Sequence, residues 1–214
     1  MSYIENKNIS NLSDEEWNKI KHLYVPGKVF DFKKRKKNLL EVKKILDGLG
    51  ISFFLVHGVL LGAYREKNFI KYDNDIELDI FEEEFRPRLE KVYNAFIEAG
   101  FVIRVNKKRK ACKMNLYKYR EKISIRGIYL EAGYKNNKFR MTNCFRYPKK
   151  FYKNFVNIKF KGKTFKAPGP IESYLLYVYG DTWSTPLKSK DRLIKFWNKN
   201  NILGSSKERK KWGK

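Results

Sequence analysis

The sequence contains few cysteines, few histidines and no long apolar run. Its 214 residues include two cysteines, Cys112 and Cys144, and two histidines. Neither cysteine has another cysteine or a histidine at metal-ligand spacing, so we expect free thiols and no structural zinc site. No apolar run reaches the roughly 18 residues that span a bilayer, and residues 1–10 lack a signal-peptide pattern. We therefore expect a cytoplasmic protein, with peripheral contact at the inner membrane face left open.

Acidic residues are scarce relative to basic ones. Lys and Arg number 48 against 23 Asp and Glu, which gives a formal net charge of +25. Such a surface attracts polyanions, whether nucleic acid, anionic lipid headgroups or phosphorylated substrates, and charge alone does not choose among them. A lysine-rich composition without a functional role is the alternative. Hydrophobic residues at 42% and aromatic residues at 16% are typical of a globular chain.

The apolar periodicity predicts one α+β domain with a mixed sheet. Residues 1–30 are predicted to form a helical extension, 31–200 the main domain, and 201–214 a mobile basic tail. Ser13 and Glu16 form a capping-box pattern at the first helix. Predicted helices cover 13–23, 32–49, 59–66, 81–100, 170–180 and 190–199; predicted strands cover 51–56, 72–80 and 101–105, followed by antiparallel strands over 111–165.

One predicted strand, "YDNDIELDI", carries an acid at every second position. Side chains alternate between the two faces of a strand, so Asp73, Asp75, Glu77 and Asp79 share one face. Like charges at this spacing repel one another unless a cation lies among them. A solvated edge strand is the alternative, although lysine usually has that role and is abundant in this chain. The alternation therefore favours a cation site.

Carboxylate oxygens are the ligands that Mg²⁺ and Mn²⁺ prefer. Magnesium held by one or two carboxylates usually shares its coordination shell with substrate phosphates. A divalent metal, a phosphate ligand and a basic surface together suggest phosphoryl or nucleotidyl transfer.

Two separated segments resemble a known family. "HGVLLGAYREKNFIKYDNDIELDI" is similar to the motif G-T-L-L-G-A-x-R…F-I-P-W-D-x-D-I-D-I of the LicD / fukutin-related family, and "YGDTWSTP" is similar to its Y-G-D-x-W-x-x-P stretch. With "IYLEAGY" as a weaker match, the resemblance covers about residues 45–186. It implies a nucleotidyltransferase-like fold, a mixed β-sheet flanked by helices, in the nucleotidyltransferase-fold superfamily.

The resemblance also implies roles for individual residues. Asp75 and Glu77 correspond to the acid-x-acid metal pair for Mg²⁺ or Mn²⁺, Asp73 to an additional acid, and Glu131 to a third acid on a later strand. Asp73 or Glu131 would be the general base. Gly58 and Arg65 would bind the donor phosphates, although a structural ion pair is the alternative for Arg65. His57 is expected to pack in the core. Val59, Lys71, Tyr72, Glu77 and Asp79 depart from the family pattern.

The activity that this resemblance implies is transfer of a phosphocholine- or polyol-phosphate-like group. The donor would be a CDP-linked small molecule, and the acceptor a sugar hydroxyl of a surface glycan. Two alternatives remain: a nucleotidyltransferase that adds a nucleoside monophosphate to a small molecule or RNA, and a basic nucleic-acid-binding module. A four-acid strand would repel a phosphate backbone, which disfavours nucleic acid as a partner.

Overall fold

The computed structural model describes residues 12–24, 31–71, 73–106, 110–142, 145–186, 196–197, 199–200 and 202. The helices are α1 (Asp14–Ile20), α2 (Phe32–Gly48), α3 (His57–Leu61), α4 (Glu82–Phe85), α5 (Leu89–Glu98) and α6 (Ile171–Tyr179). The strands are β1 (Phe54–Leu55), β2 (Ile76–Phe81), β3 (Val102–Asn106), β4 (Lys113–Lys118), β5 (Glu121–Leu130), β6 (Phe139–Met141), β7 (Arg146–Pro148), β8 (Phe155–Phe160) and β9 (Lys163–Pro168).

The strands form one mixed sheet, which confirms the predicted fold class. The main path runs β3-β4-β5-β2-β1-β9-β8, and β6 and β7 extend from β5. Strands β2 and β5 are parallel, as are β1 and β9, and the other pairs are antiparallel. The two strands predicted over 51–56 and 72–80 are neighbours in this sheet, because β1 pairs with β2 through Phe54 opposite Asp79 and Leu55 opposite Leu78.

The two faces of this sheet differ in chemistry. Directly paired residues share a face, so the register of β2, β5, β4 and β3 defines cross-strand rows. The apolar face packs against α2 and α5, and its β2 residues Ile76, Leu78 and Ile80 are fully buried. The opposite face is polar, and its rows are Glu77, Ser124, Asn115 and Arg104, then Asp79, Arg126, Lys113 and Asn106.

Several predicted elements differ in detail. The helix predicted over 81–100 is two helices separated by a 3-10 turn at Arg86–Arg88, because Pro87 lacks an amide hydrogen for the helical ladder. The strand predicted over 51–56 pairs only at Phe54–Leu55. Asp73 and Asp75 precede β2, so only Glu77 and Asp79 lie within the strand. Among the described helices, none has the length and apolarity needed to cross a membrane.

The N-terminal extension docks on the sheet. Ser13 and Glu16 form the expected capping box, and the Trp17 ring packs against Tyr117 of β4 at a centroid distance of 5.0 Å, with the ring planes tilted by 45°. Ile202, two residues beyond the predicted boundary, is buried, and its carbonyl accepts a hydrogen bond from the Arg146 amide (2.8 Å). The rest of the predicted tail, and most of the helix predicted over 190–199, lies outside the described residues.

Candidate active site

The site forms where β1 turns into α3. Val56 is extended and His57 takes a left-handed backbone conformation (φ 51°) before the helix begins. Gly58 is required for lack of space rather than for its backbone conformation, because a Cβ there would lie 2.0 Å from Oδ2 of Asp73. The glycine therefore makes room for a carboxylate beside the start of α3.

Asp73 is held in place from its backbone. Nη1 of Arg35 in α2 donates to the Asp73 carbonyl (2.9 Å), and Nε of Arg35 donates to the buried carboxylate of Glu121 (3.0 Å). Arg35 and Glu121 are almost fully buried, so this anchor is rigid. The segment that precedes β2 is thus fixed against α2, with the Asp73 carboxylate over Gly58.

Cations from β5 neutralise the acidic face of β2. Nζ of Lys122 donates to Oδ2 of Asp75 (2.8 Å), and the Ser124 hydroxyl oxygen lies 3.3 Å from the same oxygen. The Asp75 and Lys122 side chains remain 20% and 25% exposed. The alternating acids predicted a cation beside them, and at Asp75 that cation is a lysine of the same chain.

Glu77 and Asp79 share the guanidinium of Arg126. Nη1 of Arg126 donates to Oε1 of Glu77 (2.9 Å), Nε donates to Oδ1 of Asp79 (2.9 Å), and the Tyr152 hydroxyl donates to Oδ2 of Asp79 (2.9 Å). The Asp79 side chain is completely buried, whereas that of Glu77 is 25% exposed. Asp79 is therefore a structural acid, whereas Glu77 keeps a partly exposed side chain.

These surroundings shift the pKa values in opposite directions. Burial raises the pKa of Asp75, but the Lys122 ammonium outweighs it, and the net pKa lies below the ordinary value. For Glu77 and Asp79, burial outweighs the attraction of Arg126, and each pKa lies above its ordinary value. The pKa of Lys122 is raised, because its attraction to Asp75 outweighs burial. Asp75 is thus the acid of β2 most strongly held as a carboxylate.

His57 packs in the interior, as expected. Its Nε2 hydrogen-bonds the Tyr147 hydroxyl (2.5 Å), and its ring stands edge-on to Phe145. Burial, followed by repulsion from Arg126, lowers the pKa of His57 well below its ordinary value. The imidazole is therefore neutral, although its Nδ1 lies 3.9 Å from the Glu77 carboxylate.

Arg65 joins the two family-like segments to each other. It lies in the π-helical turn Gly62–Glu66 after α3, and its Nη1 donates to the Trp183 carbonyl (2.9 Å). Its Nη2 donates to Glu66 (2.6 Å), and the neighbouring Tyr64 ring packs against Trp183. The acidic strand supplies none of these contacts, so the proposed ion pair with that strand is not observed. The predicted role of Arg65 in donor binding stays a prediction.

Glu131 is not brought to the other predicted site residues. It follows β5, seven residues beyond Ser124, which pairs with Glu77. At the rise of a strand this separation is roughly 23 Å. Its carboxylate accepts two hydrogen bonds from Arg146, at 2.7 and 3.0 Å. The expected proximity of Glu131 to Asp75 and Glu77 is therefore wrong.

Three residues that surround the acids were not among the predicted site residues. Lys122 and Arg126 alternate with isoleucine in "KISIR", and this alternation was an available signal for a polar face opposite the acids. Tyr179, at the end of α6, is half-buried, and its pKa is raised by desolvation first and then by Glu77 and Asp73. The second family-like segment thus contributes a tyrosine beside the acids.

The carboxylates of this site fit a metal ion that arrives with substrate better than a metal ion held by protein alone. Within the described part of the chain, no cluster of three or more His, Cys, Asp and Glu is arranged to hold a metal ion. Asp75 and Glu77 are close enough to influence each other, and both keep an exposed edge. A pair of carboxylates suits Mg²⁺ that arrives with substrate phosphates, rather than a cage formed by protein alone.

A comparison with known proteins identifies the class. Residues 50–169, more than half of the chain, match the family model "LicD/FKTN/FKRP, nucleotidyltransferase domain". The chain therefore belongs to the LicD/FKTN/FKRP nucleotidyltransferase-domain family. This confirms both the resemblance and the nucleotidyltransferase-like fold.

The chain also matches individual curated proteins of this family. The chain is similar to "Ribitol-5-phosphate transferase FKTN" of Mus musculus (32% identity over 171 residues) and of Homo sapiens (28% over 166 residues). Each match covers 75% of this chain and 35% of the relative, so the chain spans about a third of their length.

Similar solved structures include two of ANT(2")-Ia, both 12% identical to this chain. One is a crystal structure in complex with adenylyl-2"-tobramycin (TM-score 0.42, covering 64% of this chain and 70% of that chain). The other is a solution structure (TM-score 0.45, covering 85% and 82%).

Proposed function

We propose that this protein is a Mg²⁺-dependent transferase that moves a phosphate-bearing group from a CDP-linked donor to a sugar hydroxyl of a glycan. Family membership and the name of the curated relatives support a transferred polyol phosphate such as ribitol 5-phosphate, ahead of phosphocholine. The observation that carries the proposal is the grouping of Asp73, Asp75 and Glu77 beside the turn into α3.

In this proposal Asp75 and Glu77 hold Mg²⁺, with Mn²⁺ as the alternative. When bound, the ion supplies charge neutralisation for the donor diphosphate and for the CMP that leaves. Asp75 suits this role because its pKa is lowered and its carboxylate is partly exposed. Arg126 holds Oε1 of Glu77, and Oε2, which lies 3.9 Å from Nδ1 of the neutral His57, would be the oxygen offered to the ion.

Asp73 is the proposed general base. Its carboxylate lies over Gly58, and Arg35 holds its backbone, so it is fixed beside the two ligands. The acceptor oxygen would form the new bond to phosphorus while the phosphorus–oxygen bond to CMP breaks. The proton of the acceptor hydroxyl would pass to Asp73. Glu131 is too far along β5 to share this role.

The test is CMP release from a panel of CDP-ribitol, CDP-glycerol and CDP-choline, with Mg²⁺ and with chelator. We expect Mg²⁺-dependent CMP formation from at least one donor, and the panel identifies the transferred group. Labelled CTP and ATP serve as competing substrates. Pyrophosphate release from a triphosphate, with no CMP from any CDP-linked donor, would replace this proposal with nucleotidyl transfer.

A further inference from the structure

The polar face of the sheet continues away from the acids, across β5, β4 and β3. The apolar face of the same strands is covered by α2 and α5, whereas Arg104, Lys113 and Asn115 on the polar face are only half-buried. Arg104 pairs directly with Asn115, and Lys113 with Arg126, so these side chains extend the rows that contain Glu77 and Asp79. A continuous polar floor therefore leads out from the candidate active site.

Cations and neutral hydrogen-bonding groups are mixed on this floor. Lys113 is close enough to influence the charges of both Asp75 and Glu77. The Ser124 hydroxyl donates to the side-chain oxygen of Asn115 (2.8 Å). At the far end Arg104 stacks over Trp17 at 5.2 Å, and Trp17 packs on Tyr117, so α1 forms a wall. Amide and hydroxyl groups suit sugar hydroxyls, and the cations suit an acidic substituent.

We propose that this floor, whose half-buried residues are Arg104, Lys113, Asn115 and Lys122, is the acceptor subsite, and that it selects a sugar bearing a phosphate or a carboxylate. This inference rests on the proposed function. The turn into α3 lies on the β1 side of the acids and is assigned to the donor, so a second substrate must approach from the β5 side. An acidic group on that substrate would find cations there.

The test measures binding of three small probes without any donor: glucose 6-phosphate, glucuronate and glucose. Titrations followed by amide chemical shifts of the full chain would give each affinity. We expect at least one acidic sugar to bind about tenfold more tightly than glucose, as expected for a charge-assisted hydrogen bond. The preferred probe distinguishes phosphate from carboxylate recognition.

Lys113→Met should remove most of that preference, and Lys113→Arg should retain it. Lys163→Met, at an exposed position of β9, is the matched control and should leave the preference unchanged. Equal binding of all three sugars, no binding of any, or an equal loss in both methionine variants would overturn the inference. Because no donor is present, the result is independent of CMP release, and either proposal can fail alone.

Discussion

The ion pairs Asp79–Arg126 and Asp75–Lys122 both reach β5, the first from within β2 and the second from the residue just before it, but in different surroundings. The Asp79 carboxylate is completely buried and accepts hydrogen bonds from Arg126 and Tyr152. The Asp75 side chain is 20% exposed, and its carboxylate accepts a hydrogen bond from Lys122. Glu77 lies between them, with one oxygen bound to Arg126.

The difference in burial indicates that the two acids have different roles, one structural and one in ligand binding. A buried pair has lost its hydration, so each partner needs the other to remain charged. A partly exposed pair can exchange partners at low cost, because water compensates each charge when it separates. We infer that the Asp79 end holds the two strands together, while the Asp75 end is available to a metal ion or substrate.

The largest expected effect comes from breaking the buried pair. Arg126→Met leaves Asp79 buried without its cation, so the free energy of unfolding should fall by about 3–5 kcal/mol. Lys122→Met, which removes the partly exposed partner, should cost about 0–1 kcal/mol. Urea denaturation of both variants measures the difference. Equal losses would show that the two pairs do not differ in the way proposed.

The fold was largely predictable because its signals are local. The alternation in β2, the capping box at Ser13 and the apolar stripe of α2 each lie within one segment, and the structure contains all three elements. Pro87 fits only near the first turn of a helix, and in the structure it lies in the turn that divides α4 from α5. That outcome depended on how the segment packs, which periodicity alone does not determine.

The site was less predictable because its partners are distant in sequence. Asp75 was identified from its own strand, but Lys122 lies 47 residues away, and only the parallel register of β2 and β5 brings them together. Glu131 was assigned because it lies on a later strand, and the register places it past the end of β2. Gly58 was assigned to phosphate binding, whereas the structure shows its close approach to Asp73.

The next largest expected effect is on turnover, when Asp75 or Glu77 loses its charge. Under the proposed function, Asp75→Asn or Glu77→Gln should reduce CMP release by about 10²–10³-fold, because each removes a charged ligand from the reacting groups. Glu41→Gln is the matched control, since Glu41 forms a similarly exposed ion pair with Lys118 on another surface. Unchanged turnover in either site variant would exclude that residue as a ligand.

Removing Lys122 should strengthen metal binding, whereas removing Asp75 or Glu77 should weaken it. The ammonium competes with a metal ion for Asp75, so Lys122→Met should raise the Mn²⁺ affinity by about tenfold, about 1.4 kcal/mol. Electron paramagnetic resonance of free Mn²⁺ during titration gives the affinity without any turnover. Lys118→Met, which breaks the Glu41 pair, should have no effect. A weaker affinity in Lys122→Met would mean that the lysine orients Asp75 rather than competing for it.

The last effect tests which strand dominates at His57, which lies near Glu77 of β2 and is repelled, when protonated, by Arg126 of β5. Burial and Arg126 lower its pKa in the folded protein, so the unfolded chain binds the proton more readily. Stability is therefore present above the unfolded pKa of about 6.5 and should be lost below it by about 1.4 kcal/mol per pH unit.

His57→Asn keeps a residue that tolerates the left-handed backbone and removes this titration. Denaturation of both proteins between pH 7 and pH 5 should show the additional loss only in the protein that retains His57. Other titrating groups are common to both, so the difference between the two slopes isolates the imidazole. If Glu77 dominated instead, the folded pKa would be raised and acidification would stabilise the protein with His57 relative to the variant. The sign of the difference decides between the acidic and the cationic strand.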